Sequence, residues 1–227
     1  MKTMMIALCL VTWATAAAAE KELRYNQVHL QSEQSESVSN DTMHVSLSTY
    51  AEHRDPADLA RQINSDMEWA LAKARQVKGV KISTGSYQTW PITNNKITTG
   101  WRGQQSLELE SKDTESLARL AGELQEQLQI KSMNFSVSDE KRRAVENRLI
   151  SAALDAFKER ARIVGDNLQA NSYRIVDINI GTSGHAPPVM YKARMAMAME
   201  ASDAVSVEGG ESDIRVNVNG SIELIIP

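Results

Sequence analysis

The feature that most constrains how this chain can fold is a change of hydrophobic period that occurs twice between residues 41 and 138. "MHVSLST" alternates, with Met43, Val45 and Leu47 on one face, the pattern of a half-buried strand. "DPADLARQINSDMEWALAKARQVKG" then recurs at spacings of three and four. Leu59, Ile63, Met67, Ala70, Leu71, Ala74 and Val77 make one apolar helical stripe. Asp55 can accept from the free N–H groups of the first turn, and Pro56 suits a position that needs no N–H. Gly79 ends the pattern.

"VKISTGSYQTWPITNNKITTGWRGQQSLELES" reads as two strands about a turn at Asn94–Asn95. Trp101, Leu107 and Leu109 lie on the odd-numbered face of the second. A further helix, "DTESLARLAGELQEQL", turns Leu117, Leu120, Leu124 and Leu128 inward. "KSMNFSVS" returns to alternation through Met133, Phe135 and Val137. The order βαββαβ is the ferredoxin-like split motif, an antiparallel sheet with helices on one face, and the class is α+β.

The chain then adds its longest helical pattern, "DEKRRAVENRLISAALDAFKERARIVGDNL". Its stripe is Val145, Leu149, Ala152, Ala153, Ala156, Phe157, Ala161, Val164 and Leu168. At 1.5 Å per residue it is roughly 45 Å long and is expected to run along the whole body. "SYRIVDINIG" follows as a strand with Val176, Ile178 and Ile180 on one face. In "SDIRVNVNGSIELII" a two-residue hairpin at Asn219–Gly220 would set Val218 against Ser221 and Val216 against Glu223, mixing apolar and polar residues. One long strand instead keeps Ile214, Val216, Val218, Ile222, Leu224 and Ile226 together, with Gly220 as a bulge or close approach. This helix and two strands are expected to extend the βαββαβ core. Before the core, "LRYNQVHLQSEQSESV" alternates weakly, as an edge-like first strand would.

Residues 1–19 stand apart. Lys2, an apolar run from Met4 to Ala14 and an A-x-A end at Ala17 and Ala19 form a secretory signal pattern, with cleavage expected after Ala19. Residues 20–227 are then a single domain, with the βαββαβ part at about 41–138 and the long helix and closing strands at about 139–227. No later segment approaches the roughly 18 apolar residues of a membrane helix, so no integral span is expected in the mature chain. The chain's one cysteine, Cys9, lies in the leader, which leaves no thiolate chemistry and no disulfide. Losing Lys2 leaves 24 Lys and Arg against 29 Asp and Glu, moving the formal net charge from −4 to −5. With no dense basic stripe, nucleic-acid binding is not expected.

Catalytic and metal signatures are weak. His29, His44, His53 and His185 form neither H-x-H nor H-E-x-x-H. "GTSGH" is not a nucleophile elbow, because Ser183 directly precedes its glycine. "EGGES" has no phosphate-loop lysine. Glu108 and Glu110 share a strand face, as a catalytic pair or as a solvated one. Arg142, Arg143, Arg148, Arg160 and Arg162 are interspersed with Glu140, Glu146, Asp155 and Glu159, which suits helix-surface ion pairs more than an anion site. No catalytic residue and no cofactor is expected, and an uncharacterised hydrolase would need a nucleophile and base that the sequence does not display.

The remaining chemical feature is "PPVMYKARMAMAMEASDA". Thioethers bind Cu(I) and are reversibly oxidised, so Met190, Met195, Met197 and Met199 are the candidate soft-metal or oxidant-scavenging residues. As a strand, Tyr191, Ala193, Met195, Met197 and Met199 share a face; as a helix, Met195 and Met199 are neighbours. The alternative is an apolar ribbon that packs on the sheet or on another subunit, since Met fills irregular contacts.

Several stretches together carry a family resemblance: the V-x-L-S strand before an Asp-capped helix, "TGSYQTWPITNN…ITTGWRGQQSLEL" with its Gly100–Trp101–Arg102 step, "NFSVSD" before an Ala- and Arg-rich helix, and "VEGGESDIRVNVNGSIEL". On these the chain resembles, over essentially its whole mature length, the SIMPL-domain family of bacterial exported proteins. That family includes periplasmic oxidative-stress-defence proteins and an immunogenic periplasmic or outer-membrane protein. The resemblance implies a periplasmic protein with outer-membrane association, a homo-oligomer with an envelope-protein partner, and no established catalytic activity. It also implies a link to oxidative stress. Asn217 and Asn219 depart from the pattern, where relatives are smaller or less polar.

Overall fold

A computed structural model describes residues 25–182 and 209–227. The signal pattern and the methionine segment lie outside the described residues. The elements are β1 (Gln27–Ser39), β2 (Thr42–His53), α1 (Pro56–Ala74), β3 (Lys81–Asn94), β4 (Ile97–Ser111), α2 (Thr114–Leu124), β5 (Gln129–Ser136), α3 (Asp139–Asn167), β6 (Ser172–Thr182) and β7 (Glu211–Ile225).

β2 to β5 form a four-stranded antiparallel sheet in the order β3-β4-β2-β5. This is the split βαββαβ arrangement, with the first strand of the motif central. Asp55 accepts from Ala57 N–H at 2.7 Å and Pro56 opens α1, as the cap pattern requires. Asp113 does the same for α2, accepting from Ser116 N–H at 3.0 Å. The apolar faces meet as expected: Met43, Val45, Leu47, Leu107 and Leu109 are buried with Met67, Leu117, Leu120, Leu124 and Leu128. Each fully buried leucine stabilises the fold by about 1.5–3 kcal/mol, so this one layer dominates the first half of the chain.

The α+β class stands, but the later elements do not lengthen the first sheet. β1, β7 and β6 form a separate three-stranded antiparallel sheet in that order. The central position of β7 explains this: its two edges are taken by β1 and β6. α3 packs on this sheet rather than along the whole body, against β1 and β7 and more lightly against β6. Val145, Leu149, Ala153, Phe157 and Ala161 meet Ile214, Val216, Val218 and Ile222 in a second core. Ala152 and Leu168 fall outside the buried stripe and are exposed. β7 is one continuous strand, and Gly220 is the close approach: a Cβ there would lie 2.5 Å from the Asp177 carbonyl oxygen and 3.1 Å from the Phe157 ring. Ile226 lies beyond the strand and is exposed.

Smaller differences are local. The hairpin turns at Asn95–Lys96, one residue past the expected position; both have positive φ, the twist that a two-residue hairpin needs. α1 ends at Ala74, and Gly79 (φ +78°) turns the chain into β3 rather than capping the helix.

The two sheets join at Asn40 and Asp41. Asn40 N–H donates to the Gly210 carbonyl at 3.0 Å, and its side-chain amide to the Gly209 carbonyl at 2.7 Å. Asp41 N–H donates to the Ser136 carbonyl at 3.1 Å. The Asp41 carboxylate accepts from Ser138 N–H at 2.6 Å and Ser138 O–H at 2.8 Å.

Candidate functional site

The helix-free face of the four-stranded sheet brings together His44, Glu108 and Glu110 among the polar residues the sequence singles out. Strand register sets His44 between Glu110 on β4 and Asn134 on β5. His44 Nε2 lies 2.8 Å from Ser136 Oγ, and Nδ1 lies 4.0 Å from a Glu110 oxygen. A serine, a histidine and a carboxylate are thus brought onto one surface, from positions far apart in sequence that no motif connects. The arrangement does not make an activated nucleophile. At 4.0 Å Glu110 is beyond hydrogen-bond reach of the ring and bonds Lys81 Nζ at 3.1 Å instead. The His44 ring is therefore not oriented by a carboxylate as the base of a serine nucleophile must be. Glu108 accepts from Ser46 O–H at 2.8 Å, so Glu108 and Glu110 have separate partners and do not act as a pair.

Further along the same face, Arg102 Nε donates to Glu52 at 2.7 Å, Tyr50 O–H donates to the same carboxylate, and the guanidinium lies 5.6 Å from the Tyr50 ring centre. The hydrogen bond to Glu52 raises the Tyr50 phenol above its ordinary value. The Tyr50 and Arg102 hydrogen bonds together hold the Glu52 carboxyl below its own. Tyr50, Trp90, Pro91, Ile92, Arg102 and Gln104 line a shallow concavity of about 510 Å³. Sequence reading noted Trp101 and Arg102 but missed this cluster, because Tyr50, Trp90 and Arg102 come from three strands.

His53 borders a second concavity, of about 460 Å³, with Asp58, Arg61 and Ser65. Its Nδ1 accepts from Asp55 N–H at 3.2 Å while standing 3.5 Å from Asp58. A triad base needs its Nδ1 proton held by the carboxylate, and here that nitrogen is an acceptor. His29 Nδ1 meets Ser221 Oγ at 2.9 Å. His185 lies outside the described residues.

The arginines of α3 divide. Arg162 pairs within the helix, with Glu159 at 2.6 Å and Asp166 at 3.0 Å. Arg148 crosses to both oxygens of Glu36 on β1, at 2.6 and 2.7 Å, and Arg160 reaches the Gln31 carbonyl. Arg143 bonds the Asp139 carbonyl at 3.1 Å. Among the described residues Asn217 Oδ1 on β7 is buried without a hydrogen-bond partner. Among the described residues no group of three or more His, Cys, Asp or Glu is placed to hold a metal, and no helix is long and apolar enough to cross a membrane.

Among the described residues, a run of exposed apolar side chains lies on β6. Ile175, Val176, Ile178 and Ile180 are 44, 39, 37 and 41% exposed. The expected shared face of Val176, Ile178 and Ile180 is corrected by a bulge between Ile175 and Asp177. Ile175 opposes Ile222, Ile178 opposes Gly220 and Ile180 opposes Val218, so these three isoleucines form the helix-side row and Val176 is the extra residue.

Fold and surface therefore define an α+β protein of two antiparallel sheets whose polar groups are mostly engaged in structural pairs. The chain belongs to the SIMPL family, described as proteins of unknown function (DUF541), whose model matches residues 28–222. No curated protein matches the chain.

Proposed function

We propose that this is an exported, self-assembling protein of the bacterial periplasm and cell envelope that works through association rather than catalysis, with a part in oxidative-stress defence. The observation that carries this reading is the exposed apolar row of β6, at 37–44% exposure on the edge of a sheet. Surface of this kind marks a contact with another chain. The leader pattern supports export, and the SIMPL resemblance supports a homo-oligomer with an envelope-protein partner and outer-membrane association. Sedimentation of residues 20–227 at tens of micromolar tests the central point: assemblies are expected, and a strict monomer would sink the reading. Release of the protein by osmotic shock tests the location.

A second reading rests on Met190, Met195, Met197 and Met199, as an oxidant sink or Cu(I) buffer. It draws on residue chemistry alone.

A further inference from the structure

The described residues contain four edge strands, and three of them carry protection against pairing with another strand. β3 has Lys81, Pro91 and two register shifts. β5 is only eight residues long and carries Lys131. β1 is polar at ten of its thirteen positions, and Lys141 and Arg160 of α3 donate to the Ser39 and Gln31 carbonyls of its backbone. Charges, proline, bulges and brevity are the devices by which natural sheets blunt their edges. β6 is eleven residues long, has neither lysine nor proline, and is apolar at four positions. Besides the bulge it carries two charges, Arg174 and Asp177, which are of opposite sign and so do not repel a second copy.

That bulge also makes the strand self-complementary. Taking sides from the β7 partners, Tyr173, Ile175, Ile178 and Ile180 face α3, while Arg174, Asp177 and Asn179 face away. The extra residue Val176 sits beside Ile175, opposite Ile222. An antiparallel match that sets Arg174 against Asp177 also sets Tyr173 against Ile178, Ile175 against Val176 and Ser172 against Asn179. Between Ser172 and Asn179 apolar residues meet apolar, polar meet polar, and the strand's two charges meet each other; Ile180 falls opposite Asn171, just outside the strand. In a regular strand this register would place odd residues against even ones and mix the two faces; the bulge shifts the parity and restores the match. Asp177 has no ion pair among the described residues, and Arg174 contacts Glu223 at 2.6–2.7 Å with donors to spare.

The geometry points to a contact in which β6 pairs with β6 of a second copy, about a two-fold axis between Ile175 and Val176. It joins two three-stranded sheets into one of six strands. Such a contact is isologous, as two-fold interfaces require. This inference rests on the self-assembly reading and names its interface.

The test uses the full mature chain without Cys9, so that introduced thiols are unique. Residues directly opposite on antiparallel strands have Cα atoms about 4.5–5.5 Å apart, within disulfide range. Under mild oxidation, Arg174→Cys mixed with Asp177→Cys is expected to give a disulfide-linked dimer, and either variant alone is not. Ile178→Lys is expected to lose the assembly while keeping the far-ultraviolet circular dichroism of the parent. If the parent assembles but the mixture does not cross-link and Ile178→Lys still assembles, the β6 contact is wrong and the self-assembly reading survives. If the parent is a monomer, both fail. A monomer whose β6 amides resist hydrogen exchange would assign the edge to the chain's own segment 183–208, which also overturns the proposal.

Discussion

Asp41 holds Ser138 by both of its donors, the backbone N–H at 2.6 Å and the hydroxyl at 2.8 Å. Ser138 is the N-cap of α3, yet its side chain makes no capping hydrogen bond to the helix. The hydroxyl is turned to Asp41, so the residue that begins the second core's helix is fastened to the link between β1 and β2.

Asp41→Asn is expected to destabilise the protein by about 1–2 kcal/mol, the scale of charge-assisted hydrogen bonds at a partly exposed site. Burial works upward on the Asp41 carboxyl, but the Ser138 donors and the charges of Lys141 and Lys112 outweigh it, and the group lies below its usual value of 3.8. The sign follows from linkage. A lowered folded-state value gives stability that is present above the unfolded value and lost as pH falls through the folded one. Urea unfolding of parent and variant should therefore differ at pH 7 and converge in acid; an undiminished difference at low pH would contradict this.

Two glycines should respond in opposite directions. Gly220→Ala forces a methyl toward the Asp177 carbonyl and the Phe157 ring and is expected to cost about 1–3 kcal/mol. Gly122 lies inside α2, where an added methyl would meet nothing within 4 Å, so Gly122→Ala is expected to stabilise by about 0.5–1 kcal/mol. Thermal unfolding midpoints of the two variants report both.

Changing Met190, Met195, Met197 and Met199 together to Leu separates sulfur chemistry from apolar contact. If the segment is a packing or assembly ribbon, Cu(I) titration and survival of peroxide by expressing cells are unchanged, because Leu preserves the volume. A loss of Cu(I) binding or of peroxide survival would favour the oxidant-sink or copper reading.

The core was legible wherever one period governed one element. Met43, Val45, Leu47, Leu117, Leu120 and Leu124 are buried as their spacing requires, and β7 runs through Asn219–Gly220 without a turn, as its apolar face requires. Pairing between distant strands was not legible. Nothing in the local pattern says that β7 takes β1 and β6 as neighbours instead of joining the first sheet. The bulge after Ile175 was hidden for a related reason: regular alternation in "RIVDINI" selects Val176, Ile178 and Ile180, and no residue in the run marks where a single extra one shifts the parity. The Ser136–His44 contact and the Tyr50–Glu52–Arg102 cluster are likewise products of register, invisible until strands are laid side by side.

β1 pairs with β7 from Gln27–Glu223 to Ser39–Glu211, so the first strand of the fold is closed by the last. The four-stranded sheet draws its strands from the middle of the chain and can close early, since its contacts span shorter loops. The three-stranded sheet cannot close until β7 is available to stand between β1 and β6. Up to that moment the chain carries an unmated N-terminal strand and an α3 whose apolar stripe has no sheet to lie on. Completion of the second sheet is thus set by β7, and a chain lacking β7 would lose the second core as a whole.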